Sequence, residues 1–429
     1  MQIERIFIYF LLFVSVSYHS FAQNIIHITH DVDLSKSKDF VITNNTILSF
    51  EGGCLKNGTI KGINTAISAP MYPIFQNVKL EGTWSVPTAF FEWFGAKGDG
   101  KTDDRESIQN ALNSPFRSFT LPTKNYVIAT DKASSVGLII SHPIKIQGTA
   151  QYDFDGGTTI SVAPKSTFST MIQIKSQGVE LENMIITGNG GNVKNIISTH
   201  EDNEYYTRLT LRKIAARNCN ETCIDLRTFG SRLEQVTTGY CNIGFFIHGN
   251  ERKQELYTSN ILEGCVCFSA RQYAYKFSYL TYSTLTACAG DRNGFNDESK
   301  SYDGYPYYFF GCSNITMNSC GCESSYNTIH LDCCKNFIVN TMTDWSGKDK
   351  TQDGYQAQKQ IFLQNCQNIS FLNCTIGSKI SKDPYITLKQ STNVQFMSCN
   401  PRKNGGKSDT SNISRQDCTL DEKSTVAIQ

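Results

Sequence analysis

Residues Asn314–Cys320 read NITMNSC, and the same frame returns as NFIVNTM at Asn336–Met342, NISFLNC at Asn368–Cys374 and NVQFMSC at Asn393–Cys399. Each copy is Asn, apolar, any residue, apolar, two of any kind, then Cys or Met. The starts lie 22, 32 and 25 residues apart. That is too irregular for a heptad, but it suits a solenoid whose coils differ only in the loops that leave them. Upstream the beat continues through Cys219, Cys241, Cys265 and Cys288, and GVELENM from Gly178 is a weaker copy.

A second strand follows in each coil: CIDLR at Cys223, FFIH at Phe245, YKFS at Tyr275, TIHLD at Thr328, QIFLQ at Gln360 and YITLK at Tyr385. Apolar and polar residues alternate in each, so each strand buries one face. Short strands, Asn and Gly turns and almost no helical periodicity predict an all-β chain, a right-handed parallel β-helix. Equivalent positions of stacked coils then form ladders. The 16 cysteines of the chain are expected mainly as an internal ladder of free thiols, with disulfides as the alternative in an oxidising compartment. Cys333 and Cys334 are adjacent and cannot both face inward. The spacings at Cys219/Cys223, Cys265/Cys267 and Cys320/Cys322 do not make a zinc site.

Before the repeats, FGAKGDGKTDDRESIQNAL (Phe94–Leu112) contains Gly95–Thr102, a literal match to the phosphate-cradling loop G-x-x-x-x-G-K-[ST]. The match lacks the strand–helix alternation that loop needs, and Asp99, Asp103 and Asp104 would repel a phosphate, so no nucleotide is expected. Residues 103–113 predict one short helix, opened by Asp caps, with Ile108, Ala111 and Leu112 on one face. The stretch resembles the opening motif of the pectate-lyase-like β-helix superfamily, which includes rhamnogalacturonases, polygalacturonases, epimerase-like domains and phage tailspikes. The resemblance spans roughly residues 90–400. It implies that the helix covers the open end of the solenoid, and that the protein handles carbohydrate. Of the polygalacturonase motifs only Asp103–Asp104 is present, in the cap rather than on a coil, so no hydrolase residues carry over.

The N-terminus has a charged start, an apolar run from Ile6 to Val16 and the small-x-small ending Ser20-Phe21-Ala22, which predict a signal peptide and a secreted or periplasmic protein. No later stretch is long and apolar enough for a membrane span. A formal net charge of +1 gives no general attraction to nucleic acid. The expected division is a signal peptide (1–22), a small β-rich N-terminal lobe (23–90), the β-helix (91–405) and a C-terminal tail (406–429).

The ladder rule places two outward columns on the second strands: Asp225, Phe246, Lys276, Tyr308, His330 and Phe362 in one, and Arg227, His248, Ser278, Phe310, Asp332 and Gln364 in the other. An inert, solvated face is the bland reading. The sharper one is a groove for an acidic glycan in which Arg227, His248, Lys276, Tyr308 and His330 carry the chemistry. Asp225, Phe246, Phe310 and Asp332 would bind substrate, with Tyr305 and Tyr355 on two long excursions as walls. In a polysaccharide lyase acting on a uronate-containing, pectin-like chain, Arg227 would neutralise the carboxylate, His248 or Lys276 would be the base, and Tyr308 or His330 the acid. A glycoside hydrolase would need loop acids such as Asp303, Asp344 or Asp353, because Asp225 and Asp332 stand about 19 Å apart at the strand spacing. A non-catalytic glycan binder is the third reading. No metal ligands are assigned; the acidic cluster at His200–Arg208 offers calcium a site only as a secondary reading.

Overall fold

The computed structural model describes residues 24–36, 40–130, 135–149, 156–199, 206–294, 304–325, 327–345, 361–377, 386–402, 418–420 and 426–428. The expected signal peptide, Asp303, Asp353, Tyr355 and the His200–Tyr205 part of the acidic cluster lie outside these residues.

The repeat works through its corners rather than its strands. Asn314, Asn336, Asn368 and Asn393 all take left-handed backbone, with φ between 51° and 57°. Asn tolerates that conformation better than other residues with side chains. Their amides stack into a ladder: Asn336 donates to Asn314 at 3.2 Å, Asn368 to Asn336 at 2.9 Å and Asn393 to Asn368 at 2.8 Å. The sixth residue of each repeat, Ser319, Thr341, Asn373 or Ser398, is a second left-handed corner. The residue after it, Cys320, Met342, Cys374 or Cys399, turns inward. A third corner, at Gly311, Cys333, Asn365 and Gln390, is followed by Cys312, Cys334, Cys366 and Ser391.

The cysteines therefore mark the first inward position after a corner, where the side chain adds a second hydrogen bond to a carbonyl that already accepts a backbone N–H from the neighbouring coil. Cys334 Sγ donates to the carbonyls of Asp332 and Phe309, Cys366 to those of Gln364 and Leu331, and Ser391 Oγ does the same at Lys389. The Cys333–Cys334 doublet is thereby explained: Cys333 is the exposed corner and Cys334 the buried residue after it. All fifteen cysteines with described side chains are free thiols, and every one but Cys333 and Cys399 is buried.

Between corners each coil contributes three strands. Ser313–Asn318, Gly321–Glu323 and Ile329–Asp332 pair in parallel with Lys335–Asn340, Thr343–Trp345 and Ile361–Gln364 of the next coil. The interior is filled by like residues on like. Phe245, Tyr275 and Tyr307 stack at 4.9 and 5.1 Å with planes within 6°. Both buried tyrosine hydroxyls donate to main-chain carbonyls, so no polar group is stranded. Parallel pairing also reaches Cys418–Leu420 and Val426–Ile428, within the segment expected as a tail. Residues 24–84 form a separate six-stranded sheet with all its pairs parallel.

Helix α1 (Arg105–Leu112) buries Ile108, Ala111 and Leu112, as its pattern predicts, and it closes the solenoid's end by hydrogen bonding as well as by apolar cover. The Arg105 guanidinium donates to the carbonyls of Val136 and Gly137, and Gln109 both donates to and accepts from the backbone of Ile139. The edge of strand Ser135–Ile140 is thus satisfied by side chains and cannot recruit another chain there.

Of the Asp residues, Asp103 bonds the helix as expected, accepting from the Arg105 N–H at 3.0 Å, while Asp104 and Asp99 serve the loop before it. Asp104 makes no side-chain bond to the helix. It accepts instead from the backbone N–H of Lys97 at 2.7 Å and of Gly98 at 2.9 Å. Asp99 accepts from Lys101 N–H, Thr102 N–H and the Thr102 hydroxyl, and the two backbone bonds hold its carboxyl down to about 2. Two carboxylates of the chain thus occupy donors of the kind that cradle phosphate in the look-alike loop.

Two outcomes follow from this packing. Asp104→Ala strands one buried and one part-buried donor and should cost about 1 to 3 kcal/mol in denaturant unfolding; a loss under about 0.5 kcal/mol would mean that the loop finds other partners. Among the cysteines with described side chains, Cys333 should be the one labelled rapidly by a thiol reagent in the native state, with the buried thiols reacting only on unfolding; slow labelling at Cys333 would contradict its corner position.

Candidate active site

Seven strands, one per coil, build the face: β1 (Thr222–Phe229), β2 (Thr237–His248), β3 (Val266–Ser278), β4 (Tyr305–Phe310), β5 (Ile329–Asp332), β6 (Ile361–Gln364) and β7 (Ile386–Lys389). Their parallel register aligns Asp225, Phe246, Lys276, Tyr308, His330, Phe362 and Thr387 in one column. Arg227, His248, Ser278, Phe310, Asp332, Gln364 and Lys389 form the other. Both expected columns form in the expected register, one coil longer than read from the sequence.

Burial separates their members. Arg227 is only 9% exposed. Its guanidinium lies 5.8 Å from the Tyr257 ring centroid and donates to the Tyr257 hydroxyl at 3.3 Å. The Tyr257–Thr258 strand, which the column argument did not include, covers it, so Arg227 does not present an open cation to a substrate carboxylate. Ser278 is fully buried and donates to Glu251 Oε1 at 2.7 Å. Glu251, in the turn after His248, is a carboxylate that the strand pattern could not locate. Asp344, taken from sequence as a loop acid, is buried and accepts from the Thr328 hydroxyl at 2.8 Å; it is structural.

His248 is tied at both nitrogens. Nδ1 lies 2.9 Å from the Gly249 carbonyl and Nε2 3.2 Å from Asp225 Oδ1. A carbonyl can only accept, so the Nδ1 contact places a hydrogen there, and Asp225 faces Nε2. The imidazole stacks on Phe246 at 4.3 Å and 13°, and the Lys276 ammonium sits 4.4 Å from the same ring centroid. Phe246, expected as a sugar platform, is occupied by its own neighbours and orders two basic groups.

Further along, Tyr308 stacks on Tyr273 at 4.9 Å and meets His330 edge-on at 4.9 Å. Burial, and then the neighbouring Tyr273 and Asp332, push the Tyr308 phenol well above the ordinary tyrosine range, so it stays protonated. Tyr305 and Phe362 enclose His330 from two more directions, at 5.0 and 4.6 Å. Phe310 packs edge-on against Tyr279, and Asp332 accepts from Asn365 at 3.5 Å. The Lys389 ammonium lies 5.2 Å from the Phe362 ring. Tyr273 and Lys389 were not picked out from sequence, although each sits in register beside a residue that was.

Asp225 and Asp332 stand four coils apart, about 19 Å at the strand spacing, beyond the roughly 5 to 9.5 Å used by paired carboxylates in glycoside hydrolysis. Among the described residues no group of three His, Cys, Asp or Glu side chains is placed to hold a metal ion, and no helix is long and apolar enough to cross a membrane. A cavity of about 410 Å³ between strand Phe75–Trp84 and α1 shares no lining residue with this face.

No protein-family model matches the sequence, and a comparison with curated proteins returns no match. Among solved structures the chain is similar to the A-module of the mannuronan C-5 epimerase AlgE4 of Azotobacter vinelandii, at 14% identity and a TM-score of 0.55, covering 79% of this chain and 99% of that one. It is similar to the DFA-IIIase of Arthrobacter chlorophenolicus A6 in complex with GF2, at 10% identity and a TM-score of 0.53, covering 79% and 93%. It is also similar to the gp42 tailspike of an Acinetobacter phage, at 12% identity and a TM-score of 0.50, covering 76% and 65%. At these identities the likeness is one of architecture: the chain has the right-handed parallel β-helix fold that these structures share.

Proposed function

We propose that the face built by β3 to β6 is the active groove of an extracellular polysaccharide lyase acting on a uronate-containing chain. The observation that carries this reading is the succession of Lys276, Tyr308 and His330 on three consecutive coils of one column, with the last two rings 4.9 Å apart. β-Elimination needs a positive charge beside the carboxylate, a base for the proton at C5 and an acid for the leaving oxygen. Lys276 supplies the charge. His330 takes the proton, the C5–H electron pair becomes the new C4=C5 bond, the C4–O bond breaks, and the oxygen receives the Tyr308 proton. His248, with both nitrogens engaged, serves as a fixed donor group paired to Asp225 rather than as the base. The shared fold with a mannuronan C-5 epimerase module supports a uronate substrate, since the name of that enzyme places its chemistry at the same carbon.

A hydrolase is the second reading, favoured by one observation: Ser278 holds the Glu251 carboxylate beside the second column.

Incubating the purified chain with pectic, alginate-like and glycosaminoglycan polymers separates the readings. A lyase should yield both ultraviolet absorbance from unsaturated uronate and new reducing ends. Tyr308→Phe and His330→Ala should each lower kcat at least 100-fold, and Lys276→Met should raise KM and lower kcat. Because burial keeps the phenol protonated, ionisation of Tyr308 should cause no loss of rate below about pH 10. Reducing ends without absorbance would replace elimination by hydrolysis and direct mutagenesis to Glu251; silence in both channels would leave a binding protein.

A further inference from the structure

Helix α1 carries two polar pairs at i, i+4 spacing, and the fold uses only one of them. Arg105 and Gln109 are spent on the backbone of Val136, Gly137 and Ile139. Glu106 and Asn110, one residue further round, line the cavity of about 410 Å³ between α1 and strand Phe75–Trp84. Gln76 from that strand and Ser107 from the helix line it too. Among the described residues the side chains of Gln76, Glu106, Ser107 and Asn110 make no hydrogen bond or ion pair. Much of the remaining lining is apolar. Phe75 and Phe94, with ring centroids 5.5 Å apart, are both buried, and Pro73 and Val78 line the cavity with them.

We infer that this cavity is a second carbohydrate site, separate from the groove, and that it holds an uncharged sugar residue of a polysaccharide. An apolar lining with a few converging polar groups is the make-up of a small-ligand site, and the volume falls inside the roughly 300 to 1,000 Å³ that such sites occupy. The chemistry of the groups narrows the ligand. Aromatic rings and Pro73 suit the C–H face of a pyranose. The Gln76 and Asn110 amides each offer donors and an acceptor, the Ser107 hydroxyl does both, and the Glu106 carboxylate accepts, which complements a ring of hydroxyls. No Lys, Arg or His lines the cavity. A uronate, sulfate or phosphate would therefore bring its charge to Glu106 with nothing to neutralise it. The cavity also lies far from the proposed groove. Ile139, whose backbone Gln109 holds, stands five coil steps before Lys276, through Gln173, Ser198, Asp225 and Phe246, or about 24 Å at the strand spacing. A neutral stretch or branch held there keeps the protein on its polymer whether the groove cleaves or only binds.

Ligand-observed NMR titration of the full chain with hexasaccharides of galactan, arabinan, xylan and β-1,4-glucan, and with their monosaccharides, tests this. At least one hexasaccharide should bind. Gln76→Ala and Asn110→Ala should each weaken it about fivefold, the effect of one lost hydrogen bond. Both positions are exposed and without partners in the fold, so neither variant carries a folding defect. Lys276→Met, in the groove, should leave this binding unchanged. Glu106→Gln, which keeps an acceptor and removes the charge, should hold the neutral ligand within about threefold. Four results overturn the inference: no hexasaccharide binds; binding falls in Lys276→Met but survives Asn110→Ala, which puts the ligand in the groove; Glu106→Gln abolishes binding, which makes the charge rather than the hydroxyl pattern decisive; or a monosaccharide binds as tightly as its hexasaccharide, which makes a free sugar the occupant. The absorbance assay of the lyase reading is independent of all four, because Asn110→Ala should leave the yield of unsaturated product unchanged.

Discussion

Everything in this molecule depends on the left-handed corner. A parallel solenoid must turn its chain several times per coil without glycine at every turn, while its main chain keeps pairing with the neighbouring coil through the corner. Asn at one corner suits this turn, because it accepts positive φ and its amide bonds the side-chain amide of the next Asn along the axis. At the third corner the following Cys or Ser turns inward and adds a side-chain bond to a carbonyl two residues back. A thiol there is compact, apolar enough for the core and still a weak donor. This accounts for a cysteine-rich chain without any disulfide among its described residues.

The same stacking that orders the interior orders the outer face. Because register repeats at every coil, a residue at one strand position has its equivalents directly above and below, and basic and aromatic side chains interleave as Lys276 over Phe246 and Lys389 over Phe362. These contacts hold long side chains in place before any ligand arrives, which reduces the ordering cost of binding. They also explain why a ring placed outward by the strand pattern is not automatically a platform: Phe246 is already covered on behalf of His248 and Lys276.

The fold and both columns were legible in the sequence because a period-two strand and a recurring corner are local signals, and a ladder multiplies each of them. The helix was legible for the same reason. What the sequence hid were partners brought in from outside the pattern. Tyr257 covers Arg227 from a separate short strand, Glu251 reaches Ser278 from a turn, and Asp344 lies buried in the middle of a three-residue strand that reads as a loop. The roles of Asp99 and Asp104 were hidden too, since their spacing mimics a helix cap while their carboxylates face the glycine loop. Strand periodicity gives the direction of a side chain but not what stands in front of it.

The repeats begin at corners, and the chain measures distance from corner to corner. Between Asn336 and Asn368 it takes ten residues more than between Asn314 and Asn336, yet the strands on either side keep the same pairing. Residue count is therefore not conserved by the architecture, only angular position around the axis. Two chains can wind into superimposable solenoids while their sequences drift out of phase at every coil, so kinship that is plain in space dissolves in any comparison that counts along the chain.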